Sequence, residues 1–296
     1  MTHIVVLGST NMDLVTYVAK APQRGETVTG REFHTIPGGK GSNQAIAAAR
    51  AGATVSMIGA VGNDAFGLRL RDTLEHSGVD TDFLRTVEGP SGTAHIVVDD
   101  EGANSIVVIP GANGTVDHLS PGDEGLIASA DALLLQLEIP LAAVVAGAQA
   151  ARRHGIRTVL TPSPARPLTP ELLAATDLLV PNEYEAVTLT GRTDPREAAA
   201  LLDVVPEVVV TLGATGSLYL ARGTDPLVIP APQVTAVDST GAGDTFVGAL
   251  AVALAEEKPV REALSWAAAA AAISVQRAGA SVSMPYRPEI DAQFTA

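Results

Sequence analysis

Short runs of aliphatic residues alternate along this chain with longer segments of helical periodicity, and that alternation limits the fold more than any other feature. The runs are "HIVVLGS", "VSMIGAVG", "DALLLQLE", "RTVLTPSP", "LLVPNEYEA" and "EVVVTLG". Between them lie "SNQAIAAARAG", "AFGLRLRDTLEHSG", "LAAVVAGAQAARRHG" and "DPREAAALLDVV". A strand that is apolar throughout must be covered on both faces, and a helix after each strand makes successive strands parallel. The pattern predicts a doubly wound three-layer α/β sandwich with a mostly parallel central sheet. Several of the helical segments stop at Gly, a normal C-terminal signal. Aromatic residues make up only 3% of the 296 residues, so the core must be built from Ala, Val, Leu and Ile.

Two stretches break the alternation. Residues 14–36, "LVTYVAKAPQRGETVTGREFHTI", read as strand, turn and strand, and 93–109, "TAHIVVDDEGANSIVVI", as a hairpin. Strand pairs without helices do not join a helix-covered sheet easily. The expectation is a small separate β lid from 14–36 and 93–109, and an α/β core from 1–13, 37–92 and 110–296. Such a lid needs cover on one face, which a site or another subunit would supply. No conventional two-domain split is expected.

Charge and composition exclude several classes. With 19 Lys and Arg against 33 Asp and Glu, the net charge is −14. That argues against nucleic acid or an anionic membrane as partner, but not against a small anion held by backbone N–H groups. No apolar segment is long enough to span a membrane. There is no cysteine, so disulfides and cysteine-ligated zinc are ruled out, and a cytoplasmic location is expected. The N-terminus shows no signal-peptide pattern. The six histidines show no metal-binding spacing, and no G-x-S-x-G elbow is present.

The residues that point to chemistry cluster at predicted strand ends. In "DSTGAGDTFVGAL", residues 238–250, Gly241, Ala242 and Gly243 let a ligand approach the backbone, and a helix follows at once. The free N–H groups of a helix start favour an anion. Asp244 in that first turn is then either a helix cap or a base that accepts a proton from a hydroxyl beside a phosphoryl group. "PGGKGSNQAIAAARAG", residues 37–52, is a Gly-rich helix entry that matches neither a P-loop nor a Rossmann fingerprint. Its Lys40 and Asn43 suit a polyhydroxy compound. In "GSTNMD", Asn11 and Asp13 are placed at the C-terminal end of the first strand, where open α/β sheets bind ligands. Glu138 ends "QLE", Asn182 and Glu185 sit in "PNEYEA", and "TLGATGS" begins at Thr211. These read as a hydroxyl ligand, as groups acting on metal-bound water and phosphate, and as a turn over a nucleotide.

Together the motifs resemble those of the PfkB carbohydrate kinases. The resemblance runs in order through "GSTNMD", "GETVTG", "GGKGSNQA", "GAVGNDAFG", "IPGANG", "LLLQLE", "PNEYEA", "TLGATG", "DSTGAGDTFVGAL" and "AGASVSMP". It implies an ATP-dependent sugar kinase, with D-ribose phosphorylated at O5 as the expected reaction and another sugar or a nucleoside as the alternative. A non-catalytic sugar-binding sensor is a further reading. The resemblance makes Asp244 the base and the N–H groups of the Gly241–Asp244 turn, from Ala242, Gly243 and Asp244, an anion hole. It puts Asn11, Asp13, Gly39, Lys40, Asn43 and Glu138 on the sugar. Asn182, Thr211, Leu212, Gly213, Ala214, Thr215, Gly216 and Gly243 fall on the nucleotide. It implies Mg²⁺ near Glu185 through water, and K⁺ at Asp238, Thr240, Ser274, Arg277, Gly279 and Ser283. It also implies a homodimer formed through the lid. Two positions depart from the family pattern. Thr161 in "TPSPA" replaces an Asn, and Ala268 stands where an Asn or His often meets the adenine.

Overall fold

The computed structural model describes residues 2–295. The chain runs through β1 (His3–Leu7), β2 (Asn11–Tyr17), β3 (Glu32–Gly38), α1 (Lys40–Arg50), β4 (Thr54–Gly62), α2 (Ala65–His76), β5 (Val79–Asp80), β6 (Leu84–Val87), β7 (Gly92–Val98) and β8 (Asn104–Ile109). It continues through α3 (Asp123–Ala128), β9 (Ala132–Leu135), α4 (Leu141–His154), β10 (Arg157–Leu160), α5 (Pro170–Ala174), β11 (Leu178–Leu179) and α6 (Glu183–Thr190). The last part holds β12 (Glu207–Thr211), β13 (Ser217–Ala221), β14 (Leu227–Ile229), α7 (Ala242–Ala255), α8 (Val260–Ser274) and α9 (Arg287–Thr295).

The large sheet has the order β14-β13-β12-β11-β10-β9-β1-β4-β5, with β6 also on β4. Pairing is parallel from β12 to β5 and antiparallel from β12 through β14. Side chains of a strand point alternately to opposite faces, and here each face meets its own core. In β1, Ile4 and Val6 join one apolar cluster while Val5 and Leu7 join the other. In β9, Ala132 and Leu134 go one way and Leu133 and Leu135 the other. The first cluster is closed by α1, α2, α7, α8 and α9, the second by α3, α4, α5 and α6. The continuous apolar runs are therefore explained by a sheet buried on both faces, as the sequence predicts.

The small sheet has the order β3-β2-β7-β8. Its strands begin slightly earlier than the sequence suggests, since β2 starts at Asn11 and β7 at Gly92. Asn11 and Asp13 thus lie on the small sheet, and β1 already ends at Leu7. A second difference concerns residues 195–203. They form a 3-10 helix, not the α-helix that the pattern of "DPREAAALLDVV" suggests. Its buried residues are Ala198 and Leu201, a spacing of three that suits a helix with three residues per turn.

Scarcity of aromatics is met by close helix approach. A Cβ on Gly248 of α7 would lie 2.6 Å from Ala47 Cβ, 2.8 Å from the Gln44 carbonyl oxygen and 2.9 Å from the Ala48 nitrogen of α1. The backbones of α1 and α7 can approach this closely only with glycine at 248. Gly248→Ala should therefore destabilise the protein by about 1–3 kcal/mol, the usual cost of overpacking. Urea denaturation checks this, and an unchanged midpoint would contradict it.

Candidate active site

The site forms where β1, the start of the small sheet, α1 and α7 converge. Gly39 caps α1 with φ of 96°, a left-handed conformation that L side chains rarely adopt. This turn brings the first residues of α1 against the loop after β1, and Ser42 N–H donates to the Ser9 carbonyl at 2.9 Å. Glu138, after β9, accepts from Ser9 Oγ at 2.5 Å and from Lys40 N–H at 2.9 Å. Asn11 Oδ1 accepts from Asn113 Nδ2 at 2.7 Å, and Asn113 is further tied to the backbone of Thr10. The expected sugar-side residues are thereby gathered on one rim.

Of the two readings left open by the sequence, Asp244 as a cap of α7 does not hold. The N-cap of α7 is Gly241, and no side chain caps this helix. The Asp244 carboxylate turns inward: Oδ2 accepts from Asn43 Nδ2 at 3.2 Å and Oδ1 from Gln44 Nε2 at 3.0 Å. Burial pushes its carboxyl above the usual range, against the pull of Lys40 and of the two amide donors. Asn43 Oδ1 is buried without a protein partner, so it can accept a ligand hydroxyl. Burial also lifts Asp13, helped by the charges of Glu138 and Asp244 and opposed by Lys40, to about 7. Burial works against the Lys40 ammonium, yet Asp244, Glu138, Glu185 and Asp13 around it raise its pKa overall. The pocket is a set of carboxylates around one fixed cation.

The first helical bond of α7 runs from Thr245 N–H to the Gly241 carbonyl at 2.8 Å. The N–H groups of Gly243 and Asp244 precede it and face the helix entrance, as expected of a helix start. Ala242 N–H, expected beside them, instead donates to the Ser239 carbonyl at 3.2 Å.

Two cavities meet at Gly243 and Thr211. The polar one, about 190 Å³, is lined by Lys40, Thr161, Asn182, Glu185 and Asp244 among others. The second, about 330 Å³, is mostly apolar and includes Gly213, Ala214, Gly216, Phe246 and Ala268. Leu212 and Thr215 belong to the same turn but do not line it. Leu212 packs into the core, and Thr215 Oγ1 donates to the Leu212 carbonyl. Asn182 and Glu185 form a reciprocal cap at the start of α6, with bonds of 2.8 and 2.9 Å. Only Glu185 Oε2 is used in that cap.

Of the residues expected around a monovalent cation, Asp238, Thr240 and Gly279 come together. Asp238 accepts from Thr240 N–H at 2.9 Å, Thr240 Oγ1 at 2.6 Å and Gly279 N–H at 2.8 Å. Partial burial opposes its charge, but these donors hold its carboxyl below the usual range. Val237 and Asp238 N–H both donate to the Val275 carbonyl, which joins the loop before α7 to the segment after α8. Ser274 and Ser283 are buried, and Arg277 turns outward to Glu289. No cluster of three acidic or histidine side chains suited to a metal occurs among the described residues.

Sequence reasoning missed Gln44, Gln136, Asn113 and Ser9. Gln44 Nε2 also donates to Thr161 Oγ1 at 3.1 Å, and Gln136 Nε2 donates to Gln44 Oε1 at 2.6 Å. The available signal was a polar amide at a position where the helix or strand pattern calls for an apolar residue.

A model of the pfkB family of carbohydrate kinases matches residues 1–287. The chain belongs to the pfkB carbohydrate kinase family. It is 45% identical to the ribokinase of Bacillus subtilis, over 98% of this chain and 99% of that protein. It is 40% identical to the ribokinase of Schizosaccharomyces pombe, over 99% and 98%. A solved structure of Arabidopsis thaliana ribokinase in complex with ribose and ATP superposes with a TM-score of 0.94 at 35% identity, covering 100% of both chains. The polar and apolar cavities described above lie within this family's α/β fold.

The raised Asp13 carboxyl has a consequence for stability. Its pKa moves from 3.8 to about 7 on folding, so the fold prefers the neutral form. The associated stability is present below 3.8 and is lost as pH rises through about 7. Asp13→Asn should therefore raise the melting temperature of the ligand-free protein at pH 8, with a gain that shrinks toward pH 4. Calorimetry checks this, and a gain independent of pH would contradict it.

Proposed function

We propose that this chain transfers the γ-phosphoryl group of ATP to O5 of D-ribose, giving D-ribose 5-phosphate and ADP. The observation that carries this reading is Asp244, buried at the start of α7, anchored by two amides, and lining the polar cavity next to Gly243, where the two cavities meet. Its close relatives over nearly full length are ribokinases, and one of them is known with ribose and ATP.

The sugar occupies the rim formed by Asn11, Asp13, Gly39, Lys40, Asn43 and Glu138, where acceptors outnumber donors, as a polyol requires. Asp244 takes the proton of the O5 hydroxyl as O5 attacks the γ-phosphorus and the bond to the β-phosphate oxygen breaks. A raised carboxyl pKa makes it a stronger base. The N–H groups of Gly243 and Asp244 meet the charge spreading over the phosphoryl oxygens. Lys40 stays protonated at neutral pH and balances the carboxylates around it. The adenine lies in the apolar cavity, with Ala268 offering contact but no hydrogen bond. Asn182 and the turn from Thr211 to Gly216 flank the phosphates and ribose of ATP.

Magnesium, when bound, neutralises β- and γ-phosphate charge. The fit is to a cation that arrives with the nucleotide, because Glu185 has one free oxygen and faces the polar cavity without a cluster of further acids. For K⁺, backbone carbonyls of the loop before α7 and of Ser274, Gly279 and Ser283 would hold the ion, while the Asp238 oxygens hold the loop shape. Equal rates in K⁺, Na⁺ and tetramethylammonium would contradict this site. The small sheet also carries an exposed apolar strand, with Ile106, Val107, Val108 and Ile109 each 47% or more exposed. An open apolar edge favours pairing, and we assign it to a second copy of this chain. A monomer in sedimentation would contradict that assignment. Among the described residues no helix is long and apolar enough to cross a membrane, and a cysteine-free ATP-dependent kinase fits the cytoplasm.

Purified protein should release ADP with D-ribose at rates well above those with 2-deoxyribose, fructose or adenosine. Asp244→Asn should keep sugar binding and lower kcat by roughly 10²–10⁴. A preference for another acceptor would move the substrate assignment. A variant with more than about a third of the wild-type rate would remove Asp244 as base.

A further inference from the structure

Behind the reacting face lies a chain of buried amides that the reaction above does not use. Gln136 and Gln44 are fully buried. Gln136 follows β9, and its Nε2 donates to Gln44 Oε1 at 2.6 Å. Both hydrogens of the Gln44 amide are then committed, one to Asp244 Oδ1 at 3.0 Å and one to Thr161 Oγ1 at 3.1 Å. Gln136 Oε1 has no partner and rests against Gly8. An amide has a donor end and an acceptor end. With Gln136 donating, Gln44 can present only its NH₂ to Asp244. If Gln44 turned round, its carbonyl would face the carboxylate, and two acceptors would meet in a buried site.

We propose that Gln44 and Gln136 are positioning residues: Gln136 fixes the direction of the Gln44 amide, and Gln44 thereby holds Asp244 ionised and in one orientation for proton removal. This rests on the reading of Asp244 as the base. Two features separate it from ordinary core packing. The chain ends on the reacting carboxylate, and it has a polarity that a purely space-filling pair would not need. A charge-assisted bond to a carboxylate is also the stronger kind. The other charged groups facing Asp244 are Lys40 from the start of α1 and Glu138 from the loop after β9, with Asp13 on β2 across the pocket and Glu185 of α6 beyond Lys40.

The test follows kcat against pH with D-ribose and ATP. Gln136→Met keeps the volume and touches neither sugar nor Asp244. It should lower kcat at pH 7 roughly ten-fold, change the sugar KM by less than about two-fold, and move the acid limb of the profile up by about one pH unit. Gln44→Met should do the same, and combining the two should add little, since both act through one bond. Gln136→Glu is a second variant that keeps the shape. Its neutral acid can donate to Gln44 as the amide does, but its carboxylate cannot, so kcat should fall with rising pH along a limb absent from the wild type. Profiles that keep the wild-type shape in all variants, or losses equal at every pH, would overturn the proposal. Asp244→Asn is measured in parallel. An active Asp244→Asn defeats the base assignment itself. An inactive one beside unmoved glutamine profiles defeats only the positioning role.

Discussion

A carboxylate kept out of water at the start of α7 is the constraint on which the rest of this structure depends. A buried ionised group is costly unless donors reach it. Here the donors come from α1, whose Asn43 and Gln44 amides meet Asp244 at 3.2 and 3.0 Å. That contact requires α1 and α7 to cross closely, which Gly248 allows. It also requires α1 to begin abruptly, which the turn at Gly39 provides. The glycine-rich entry to α1 and the glycine-rich entry to α7 are thus one device seen twice in the sequence. Both bring backbone N–H groups and short polar side chains into a space where a larger residue would not fit.

The site divides its labour by polarity. The apolar cavity suits a flat, uncharged base, while the polar cavity concentrates Asp244, Glu185 and Lys40. Asp13, lifted to about 7 by burial and neighbouring charges, shows what this concentration costs the empty protein. A polyol that donates hydrogen bonds to these carboxylates relieves the cost, so binding and stability are linked. The overall charge of −14 does not oppose a nucleotide ligand, because free backbone N–H groups at a helix start can meet an anion locally.

Much of this was legible in the sequence. Continuous apolar runs such as that of β1 foretold a sheet buried on both faces, and the two helix-free stretches foretold a second sheet. The boundary of β2 was less legible, since "GSTNMD" carries no turn residue strong enough to show that β1 stops at Leu7. The 3-10 helix at 195–203 was hidden because alanine-rich segments suit either helix. On site residues, Asp244 and Asn43 stood out beside glycines. Gln44 and Gln136 did not, because their role comes from a contact between residues far apart in the chain. Leu212 and Thr215 lay inside a motif whose neighbours line the cavity, and only the three-dimensional turn separates those that face it from those that support it. Ala242 was counted among free donors, and the Ser239 carbonyl that engages it was not visible from spacing.

The most direct test of the central claim is the titration of Asp244 itself in the ligand-free protein. Carbon-13 labelling of aspartate, with Asp244→Asn to assign the signal, would follow the carboxyl carbon by NMR as pH is varied. The account predicts a midpoint clearly above the ordinary aspartate value of about 3.9, because burial outweighs Lys40 and the two amide donors. A midpoint at or below that value would mean that Asp244 is well solvated or fully compensated, and the picture of a desolvated base poised by α1 would be wrong.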